Sequence, residues 1–274
     1  MDGAIGQPLR RKEDHRLLTG NGRFSDDHSL PDQCWAVMVR CPYAHAVIKG
    51  VDKSKALSMP GVLGVFTGVD CEADGLGPIQ HSPFPSTQFD MKLHGPGCKV
   101  GDDSFAGINT LLPTDKGRYV GEGIAMVVAE TKEQAAEAAE VVEIDYEILP
   151  PVTQTRAAAA GDAPNLYDEI PDNVFVETFF GDEAATKEAF AKADHVIKMS
   201  FDIPRVTGVP MEPRSALGVY DPNEEKYTVY AGSGGTVRQK REIASILGVE
   251  NNQVRVYALD VGGNFGTRNR LFVE

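Results

Sequence analysis

The segment VRVYALDVGGNFGTRN, from Val254 to Asn269, decides the fold predicted for this 274-residue chain. Apolar residues alternate from Val254 onward, which predicts a strand, and this strand leads into the glycine-rich turn 262–266. Three of these five residues are glycine, so the backbone can approach a ligand closely and direct N–H groups at its oxygen atoms. An ordinary turn between a strand and a loop explains the same letters equally well.

Two nucleotide-binding motifs do not fit this turn. A dinucleotide fingerprint in the same register needs glycine at position 261, which is Val261. A P-loop needs Lys and then Ser or Thr after its second glycine, whereas Thr267 and Arg268 follow Gly266. Neither motif explains the turn.

The composition narrows the class of protein. A net charge of −13 argues against nucleic acid or an anionic membrane as a partner, because both are bound through clustered Lys and Arg. With no run of about 18 apolar residues and a polar amino terminus, neither a spanning helix nor a secretory signal is expected, and the cytoplasm is the predicted location. The four cysteines lack a CxxC pair, so free thiols are predicted, with neither zinc nor an iron–sulfur cluster; they are Cys34, Cys41, Cys71 and Cys98.

The first half of the chain has the pattern of an α/β domain. Residues 1–18 are predicted to be an irregular arm, and residues 71–109 carry no sustained period. Between them and beyond them, strands are predicted at Gln33–Arg40, Val62–Thr67 and around Ile124–Val128. Thr131 is predicted to cap a helix from Lys132 to Val142, and the strand EIDYEIL follows it.

The second half predicts a further domain after a linker. The Ala- and Pro-containing segment 154–172 is the predicted linker. In residues 173–274 a helix is predicted through Lys192 and a strand from His195 to Ile203, whose alternate residues are apolar. A strand at 226–231, a glycine-rich turn and a helix capped near Thr236 complete the pattern, and such a turn can hold an anion at the helix N-terminus.

Several phrases together carry a family resemblance. GGNFGTRN, the helix RQKREIASILGV (Arg238 to Val249) and RVTGVPMEPRSALGVYD (Arg205 to Asp221) resemble the molybdenum-binding large subunit of the xanthine dehydrogenase, aldehyde oxidase and carbon monoxide dehydrogenase family. CPYAHA, PGV, RYVGEGIAMVVAET and DYEILP, in that order, are similar to the hammerhead domain of that subunit. The resemblance implies an α+β chain: an α/β hammerhead domain at 19–153, then the first part of a molybdopterin-binding α/β domain at 173–274.

The resemblance also implies site residues. In the family, the glycine–Phe–glycine loop lies against the molybdenum centre and its pterin, and the N–H of the Phe, here Phe265, donates to an oxygen of that centre. The cofactor-binding residues implied are Gly234, Gly235, Gly262, Gly263, Asn264, Phe265 and Gly266. Glu212 and Arg214 suit a carboxylate–guanidinium contact, and we expect them to shape the surroundings of the molybdenum site without touching the metal.

Two positions depart from the family pattern. Many relatives carry Gln where Gly234 stands, which leaves one amide contact to the cofactor in doubt or transfers it to the backbone N–H groups of Gly234 and Gly235. Xanthine-oxidising relatives carry Glu where Asn269 stands, and Asn holds no charge. Purine oxidation is therefore less expected than oxidation of an aldehyde, a ketone, an aromatic heterocycle or carbon monoxide.

The expected function is that of one component of a molybdenum hydroxylase, which oxidises a small substrate with oxygen from water. The general-base Glu is expected beyond Glu274, so no residue of this chain is expected to be catalytic or to bind the metal. Molybdopterin in its cytosine dinucleotide form is the expected cofactor, with 2Fe–2S clusters and FAD on an iron–sulfur subunit and a flavin subunit. The chain end suggests a truncated or split large subunit whose remainder is a further partner. The alternative is a non-catalytic fragment, scaffold or assembly protein that keeps the fold without a complete site.

Overall fold

The computed structural model describes residues 5–79, 109–168, 170, 173 and 181–274. Its backbone contacts form two compact units, one of Cys34–Val206 with Val273 and one of Met1–Gln33, Thr207–Phe272 and Glu274. The helices are α1 Asp14–Leu18, α2 Ser54–Leu57, α3 Gly68–Ala73, α4 Lys132–Glu140, α5 Thr155–Ala159, α6 Glu183–Lys192 and α7 Thr236–Leu247. The strands are β1 Trp35–Arg40, β2 Ala46–Asp52, β3 Val62–Thr67, β4 Lys116–Gly117, β5 Gly123–Ala129, β6 Glu143–Ile148, β7 Ala216–Asp221, β8 Lys226–Ala231 and β9 Val254–Tyr257.

An antiparallel sheet with β5 at its centre organises the unit 34–206. Strand β5 pairs with β1 on one side and β3 on the other. Its alternating apolar residues are buried because both neighbours and the helices α2 and α4 cover them, and the core cluster is Ala56, Val65, Val127, Ala138 and Val142. Helix α4 begins after Thr131, whose hydroxyl accepts the N–H of Gln134 at 3.2 Å. The predicted cap is confirmed.

A second sheet of the same unit places β2 between β4 and β6, antiparallel to both. The turn from β4 into β5 contains a carboxylate, Glu122, whose Oε2 accepts the N–H of Arg118 at 2.5 Å. Burial raises the pKa of Glu122 above its ordinary value, and the Arg118 N–H opposes this rise without cancelling it.

The unit formed by residues 1–33 and 207–272 contains the sheet β7–β8–β9. Strands β7 and β8 form an antiparallel hairpin, whereas β8 and β9 are parallel. A parallel pair requires a crossover, and helix α7 provides it. The carboxyl ends of β8 and β9 therefore lie at the same edge of the sheet, and each is followed by a glycine-rich segment.

Three predictions about local structure need correction. Residues 195–203 are not a strand: they have no regular structure and are exposed, with Ile197 86% and Phe201 74% exposed. A strand requires a neighbour to accept and donate its backbone hydrogen bonds, and no described strand pairs with this segment. The arm 1–18 is not irregular throughout, since it contains α1, and the segment 154–172 contains α5.

The remaining sequence predictions concern thiols, the long aperiodic segment and the membrane. Cys41 and Cys71 are free thiols, as predicted; Cys34 is an exposed cysteine, and Cys98 lies outside the described residues. In the aperiodic segment 71–109, helix α3 extends to Ala73 and a bridge joins Ile79 to Asn109. Residues 80–108 of this segment lie outside the residues that the structure describes. In the described ranges, every helix is too short or too polar to cross a bilayer.

Candidate functional site

Two glycine-rich segments meet at the carboxyl edge of the parallel pair β8–β9. The glycine turn, residues 232–235, follows β8, and the glycine loop, residues 262–269, comes shortly after β9. The N–H of Gly234 donates to the carbonyl of Arg268 at 3.0 Å. Ligands of α/β proteins commonly bind at such an edge, because loops rather than strands lie there.

The glycine loop has an unusual backbone. Gly263 and Gly266 have φ values of +113° and +85°, which suit glycine. Phe265 has a φ of +48°, so a residue with a bulky side chain has a left-handed backbone here. This state is strained and persists only where the surroundings impose it. The N–H and hydroxyl of Thr267 donate to the carbonyl of Asn264 at 2.9 Å and 2.8 Å and close the turn.

The middle of the loop offers hydrogen-bond donors. No described residue accepts the N–H groups of the four residues Gly263, Asn264, Phe265 and Gly266. The Phe265 side chain is 76% exposed, although a large apolar group ordinarily avoids water. An exposed aromatic ring beside free backbone donors is typical of a surface that a ligand with both apolar and oxygen-bearing parts would cover.

Close packing explains the glycines at 234 and 262. A Cβ atom at Gly234 would lie 2.2 Å from Nδ2 of Asn264 and 2.3 Å from Oδ1 of Asn269. These two amides are joined by a hydrogen bond of 2.9 Å and fill the space above the turn. A Cβ atom at Gly262 would lie 2.5 Å from Cβ of Glu212. A larger residue at Gly262 would meet the root of the Glu212 side chain, whereas one at Gly234 would require the ends of the two Asn side chains to move.

The buried carboxylate of Glu212 bonds to residues near both ends of the glycine loop. Its Oε2 accepts the N–H of Gly262 at 2.7 Å and also pairs with the guanidinium of Arg268. The Arg268 guanidinium donates further to the carbonyls of Glu212 and Pro213. The side chains of Arg268 and Glu212 are only 3% and 8% exposed. One carboxylate oxygen therefore holds both the beginning and the end of the loop.

The expected contact between Glu212 and Arg214 is absent from the structure. Arg214 lies over the ring of Phe272 at 3.9 Å and pairs with Glu274 at 3.5 Å. Arg214 is also far more exposed than Arg268, which donates to the carboxylate and to two carbonyls. A buried carboxylate is stabilised best by a guanidinium that makes several bonds, so Arg268 rather than Arg214 is its partner.

Sequence reasoning missed two anchors in the N-terminal residues. Ser25 donates to Oε1 of Glu212 through its N–H at 3.1 Å and its hydroxyl at 2.9 Å. Asp260 accepts the guanidinium of Arg16 and the N–H of Arg23, the latter at 2.7 Å. No periodic signal marks these residues, because each acts through polar contacts to residues that are distant in the sequence.

The electrostatics of both carboxylates favour their charged forms. Burial raises the pKa of Glu212, but hydrogen bonds from Gly262, Arg268 and Ser25 outweigh it and the pKa falls below its ordinary value. The guanidinium of Arg16 and then the N–H of Arg23 lower the pKa of Asp260 to about 2. Both groups are therefore ionised at neutral pH.

Two buried polar atoms of the site have no partner among the described residues. They are Nε of Arg268, in the glycine loop, and Oε1 of Gln239, in the first turns of α7. Buried polar atoms are ordinarily satisfied, so a ligand that offers an acceptor to Nε of Arg268 and a donor to Oε1 of Gln239 would suit these two atoms. The residues present are thus compatible with a pterin cofactor.

Comparison with known proteins covers both halves of the chain. Residues 19–150 match the family described as aldehyde oxidase and xanthine dehydrogenase, a/b hammerhead domain. Residues 166–274 match the family described as molybdopterin cofactor-binding domain.

Curated relatives include the nicotine 6-hydroxylase large subunit of Paenarthrobacter nicotinovorans, which is 34% identical over 98% of this chain. The carbon monoxide dehydrogenase large chain of Afipia carboxidovorans is 30% identical over 96% of this chain. Among solved structures, quinoline 2-oxidoreductase from Pseudomonas putida 86 matches with a TM-score of 0.84 and 29% identity over 100% of this chain. The chain spans 31–32% of the length of these relatives.

Proposed function

The chain belongs to the aldehyde oxidase and xanthine dehydrogenase family, as a part of its molybdenum-binding large subunit, and on that premise we propose that it is one component of a molybdenum hydroxylase. The proposed enzyme oxidises an aldehyde, a heterocycle or a similar small molecule with oxygen taken from water. The proposed domains are an arm at 1–18, the hammerhead domain at 19–153, a linker at 154–172 and the start of the cofactor-binding domain at 173–274.

The observation that carries this proposal is the glycine loop with its free N–H groups. When bound, the molybdopterin cofactor supplies two-electron redox chemistry with water as the oxygen source. The residues proposed to contact it are Gly234, Gly235, Gly262, Gly263, Asn264, Phe265 and Gly266. Fixed backbone N–H groups stabilise negative charge without reorganising, and that is the contribution proposed for the N–H of Phe265.

Two charged residues are proposed to support the loop without touching the metal. Glu212 contacts the loop at Gly262 and Arg268 and so supports the proposed cofactor surface. Arg214 contacts Phe272 and Glu274, just after the loop, and is proposed to hold the chain where it leaves the site. Neither residue is proposed to react, and the general-base Glu is proposed to lie outside this chain.

The partners and cofactor form are proposals of the same kind. The remainder of the large subunit, an iron–sulfur subunit with 2Fe–2S clusters and a flavin subunit with FAD are the proposed partners. Support comes from the names of the relatives, which are large chains or subunits of complexes. The cytosine dinucleotide form of molybdopterin and a cytoplasmic location are proposed with them.

The substrate is proposed to be uncharged where it would contact Asn269, whose Oδ1 accepts a hydrogen bond from Nδ2 of Asn264. The amide of Asn269 can donate and accept hydrogen bonds but cannot pair with a cation. An aldehyde or an aromatic nitrogen heterocycle suits such a group better than a purine that is recognised through a carboxylate.

The test is the native mass and molybdenum content of the assembly purified with this chain. About one molybdenum per copy, in a particle larger than the 29.6 kDa chain, is the expected result. A metal-free particle of one chain or a small oligomer would overturn the proposal in favour of a scaffold or a fragment.

A matched pair of glycine variants localises the cofactor. Gly266 and Gly248 both have positive φ, and an added Cβ meets nothing within 4 Å at either position. Gly248 ends α7 and therefore lies away from the loop. We expect Gly266→Ala to reduce the molybdenum content of the assembly, and Gly248→Ala to leave it unchanged.

A further inference from the structure

The N-terminal residues 14–28, from here on called the arm in place of the predicted arm 1–18, contact both carboxylates that flank the glycine loop. Arg16 and Arg23 bind Asp260, which lies two residues before Gly262. Ser25 binds Glu212, which holds Gly262 itself. These contacts join residues 187 to 244 positions apart in the sequence. Contacts over such separations cost chain entropy, so the fold contains them only where they stabilise it appreciably.

The arm's contact with Asp260 is a fork. The guanidinium of Arg16 donates through two nitrogens to the two carboxylate oxygens of Asp260, a bidentate arrangement that fixes orientation as well as distance. The chain is paired backbone to backbone at the same place, since the N–H of Asp260 donates to the carbonyl of Arg23 at 2.9 Å. The entry to the glycine loop is thereby fixed on the arm.

The arm's contact with Glu212 sets the plane of that carboxylate. Both bonds from Ser25 go to Oε1, while Gly262 and Arg268 share Oε2. Ser25 is itself buried and is held by the hydroxyl of Ser215 at 2.8 Å. Rotation of the carboxylate about its axis would move Oε2 and disturb the two ends of the loop together, and Ser25 prevents this rotation.

We infer that the arm is a positioning element for the glycine loop, and that Arg16 and Ser25 are positioning residues that act through Asp260 and Glu212. The strained backbone at Phe265 needs surroundings that impose it, and these polar contacts hold both ends of the strained segment. The arm thereby keeps the free N–H groups of residues 263–266 in one orientation. That these groups face a molybdopterin cofactor rests on the proposed function; that the arm orders the loop does not.

Hydrogen exchange of the full chain tests the structural part. The reporting amides are those of Gly262, Thr267 and Asn269, which are bonded within the loop or to Glu212. We expect Arg16→Ala and Ser25→Ala each to accelerate their exchange by about tenfold. Arg16→Lys keeps the charge but loses the fork, so partial protection is expected.

Arg11→Ala is the matched control. Arg11 lies in the same N-terminal part of the chain and forms an ion pair with Asp14, but it contacts neither flanking carboxylate. Unchanged loop exchange is expected for this variant. Loop amides that exchange at wild-type rates in Arg16→Ala and Ser25→Ala would overturn the inference, and so would equal acceleration in the loop and in β5, which indicates global destabilisation.

A spectroscopic measurement on the assembly tests the cofactor part. In a molybdenum-loaded assembly, Ser25→Ala is expected to shift or broaden the Mo(V) electron paramagnetic resonance signal and to lower kcat more than it raises KM. An unchanged signal in a loaded variant whose loop exchanges faster would overturn the role towards the cofactor. If the assembly holds no molybdenum, the proposed function fails, while the exchange result still decides whether the arm orders the loop.

Discussion

The β1–β5–β3 sheet and the glycine loop are held together by different forces. The sheet is stabilised by apolar side chains such as Val65, Val127 and Ala138, which pack without directional bonds. The loop is stabilised by Glu212 and Arg268, a buried ion pair with several hydrogen bonds. Apolar packing tolerates small shifts, whereas a hydrogen-bonded pair fixes atoms at defined distances and angles. The chain uses the first for stability and the second where backbone groups need a fixed orientation.

The largest effect is expected from Arg268→Ala. Removal of the guanidinium leaves the carboxylate of Glu212 buried and without its cation, which costs about 3–5 kcal/mol. The opening free energy of amides in β8 and β9, measured by hydrogen exchange, should fall by this amount. The unfolding midpoint reported by the single tryptophan, Trp35 in β1, should stay the same.

Arg255→Ala is the control for this experiment, because Arg255 is an exposed arginine of β9 whose guanidinium donates to the hydroxyl of Tyr257. It should change neither readout appreciably. Should Arg268→Ala lower the Trp35 midpoint as much as it lowers protection in β8 and β9, the two regions do not respond independently and the contrast between them fails.

The second effect is expected from Val127→Ala in β5. Val127 is 0% exposed, and loss of its methyl groups from a packed core costs about 2 kcal/mol, from lost transfer energy and a residual cavity. The Trp35 transition should shift accordingly, and the amides of the glycine loop should keep their protection. Val120→Ala is the matched control, since Val120 is 65% exposed in the turn before β5.

This difference in forces explains what the sequence could predict. Burial of apolar groups imposes a period, so the strands β1, β3 and β5 and the helix after Thr131 could be predicted from alternation and capping. The glycine loop was visible because glycines reveal a backbone requirement directly. The residues that support the loop through polar contacts could not be predicted. Ser25 and Arg16 lie in an arm without hydrophobic periodicity, and the sequence around them does not indicate their partners.

Two errors follow from the same limit. The alternation of apolar residues from His195 to Ile203 predicted a strand. Alternation indicates a preference for one buried face, but a strand also needs a neighbouring strand to pair with, and alternation does not provide one. Glu212 and Arg214 were expected to pair because they lie two positions apart in a proline-containing turn that a carboxylate–guanidinium contact would suit. The buried carboxylate is instead satisfied by Arg268, which is 56 positions away. The one clue in the sequence was that Arg268 is the single charged residue of the glycine loop.

The third effect is expected from Gly234→Ala. The new Cβ atom would overlap the amides of Asn264 and Asn269, so their hydrogen bond must break or the glycine turn must move away from the loop. The two amides are the ends of flexible side chains and their hydrogen bond is exposed, so the cost lies at the lower end of the range of about 1–3 kcal/mol that overpacking costs in a core. Faster exchange at Thr267 and Asn269 is expected, together with a change in the side-chain amide resonances of the two Asn residues.

Gly218→Ala is the control for Gly234→Ala, because Gly218 lies in β7 of the same sheet and a Cβ atom there meets nothing within 4 Å. It should leave the loop amides unchanged. Normal Asn264 and Asn269 amide resonances in Gly234→Ala would mean that the loop accommodates the methyl group, and the packing argument for this glycine would be wrong.

The smallest effect is a pKa shift of a carboxyl group that has opposite signs in the two regions. The pKa of Glu122, in the turn before β5, is raised by burial, whereas the pKa of Glu212 is lowered because its hydrogen bonds outweigh burial. Between the ordinary value of 4.5 and its raised value, Glu122 is protonated when folded and ionised when unfolded, so its region loses stability as the pH rises. Glu212 is ionised when folded and protonated when unfolded below 4.5, so its region loses stability as the pH falls. Carboxyl carbon NMR titration, with Glu122→Gln and Glu212→Gln to assign the signals, measures both values. Two midpoints on the same side of 4.5 would show that polar contacts do not distinguish the loop from the turn before β5, because burial would dominate at both carboxylates above 4.5 and hydrogen bonds at both below it.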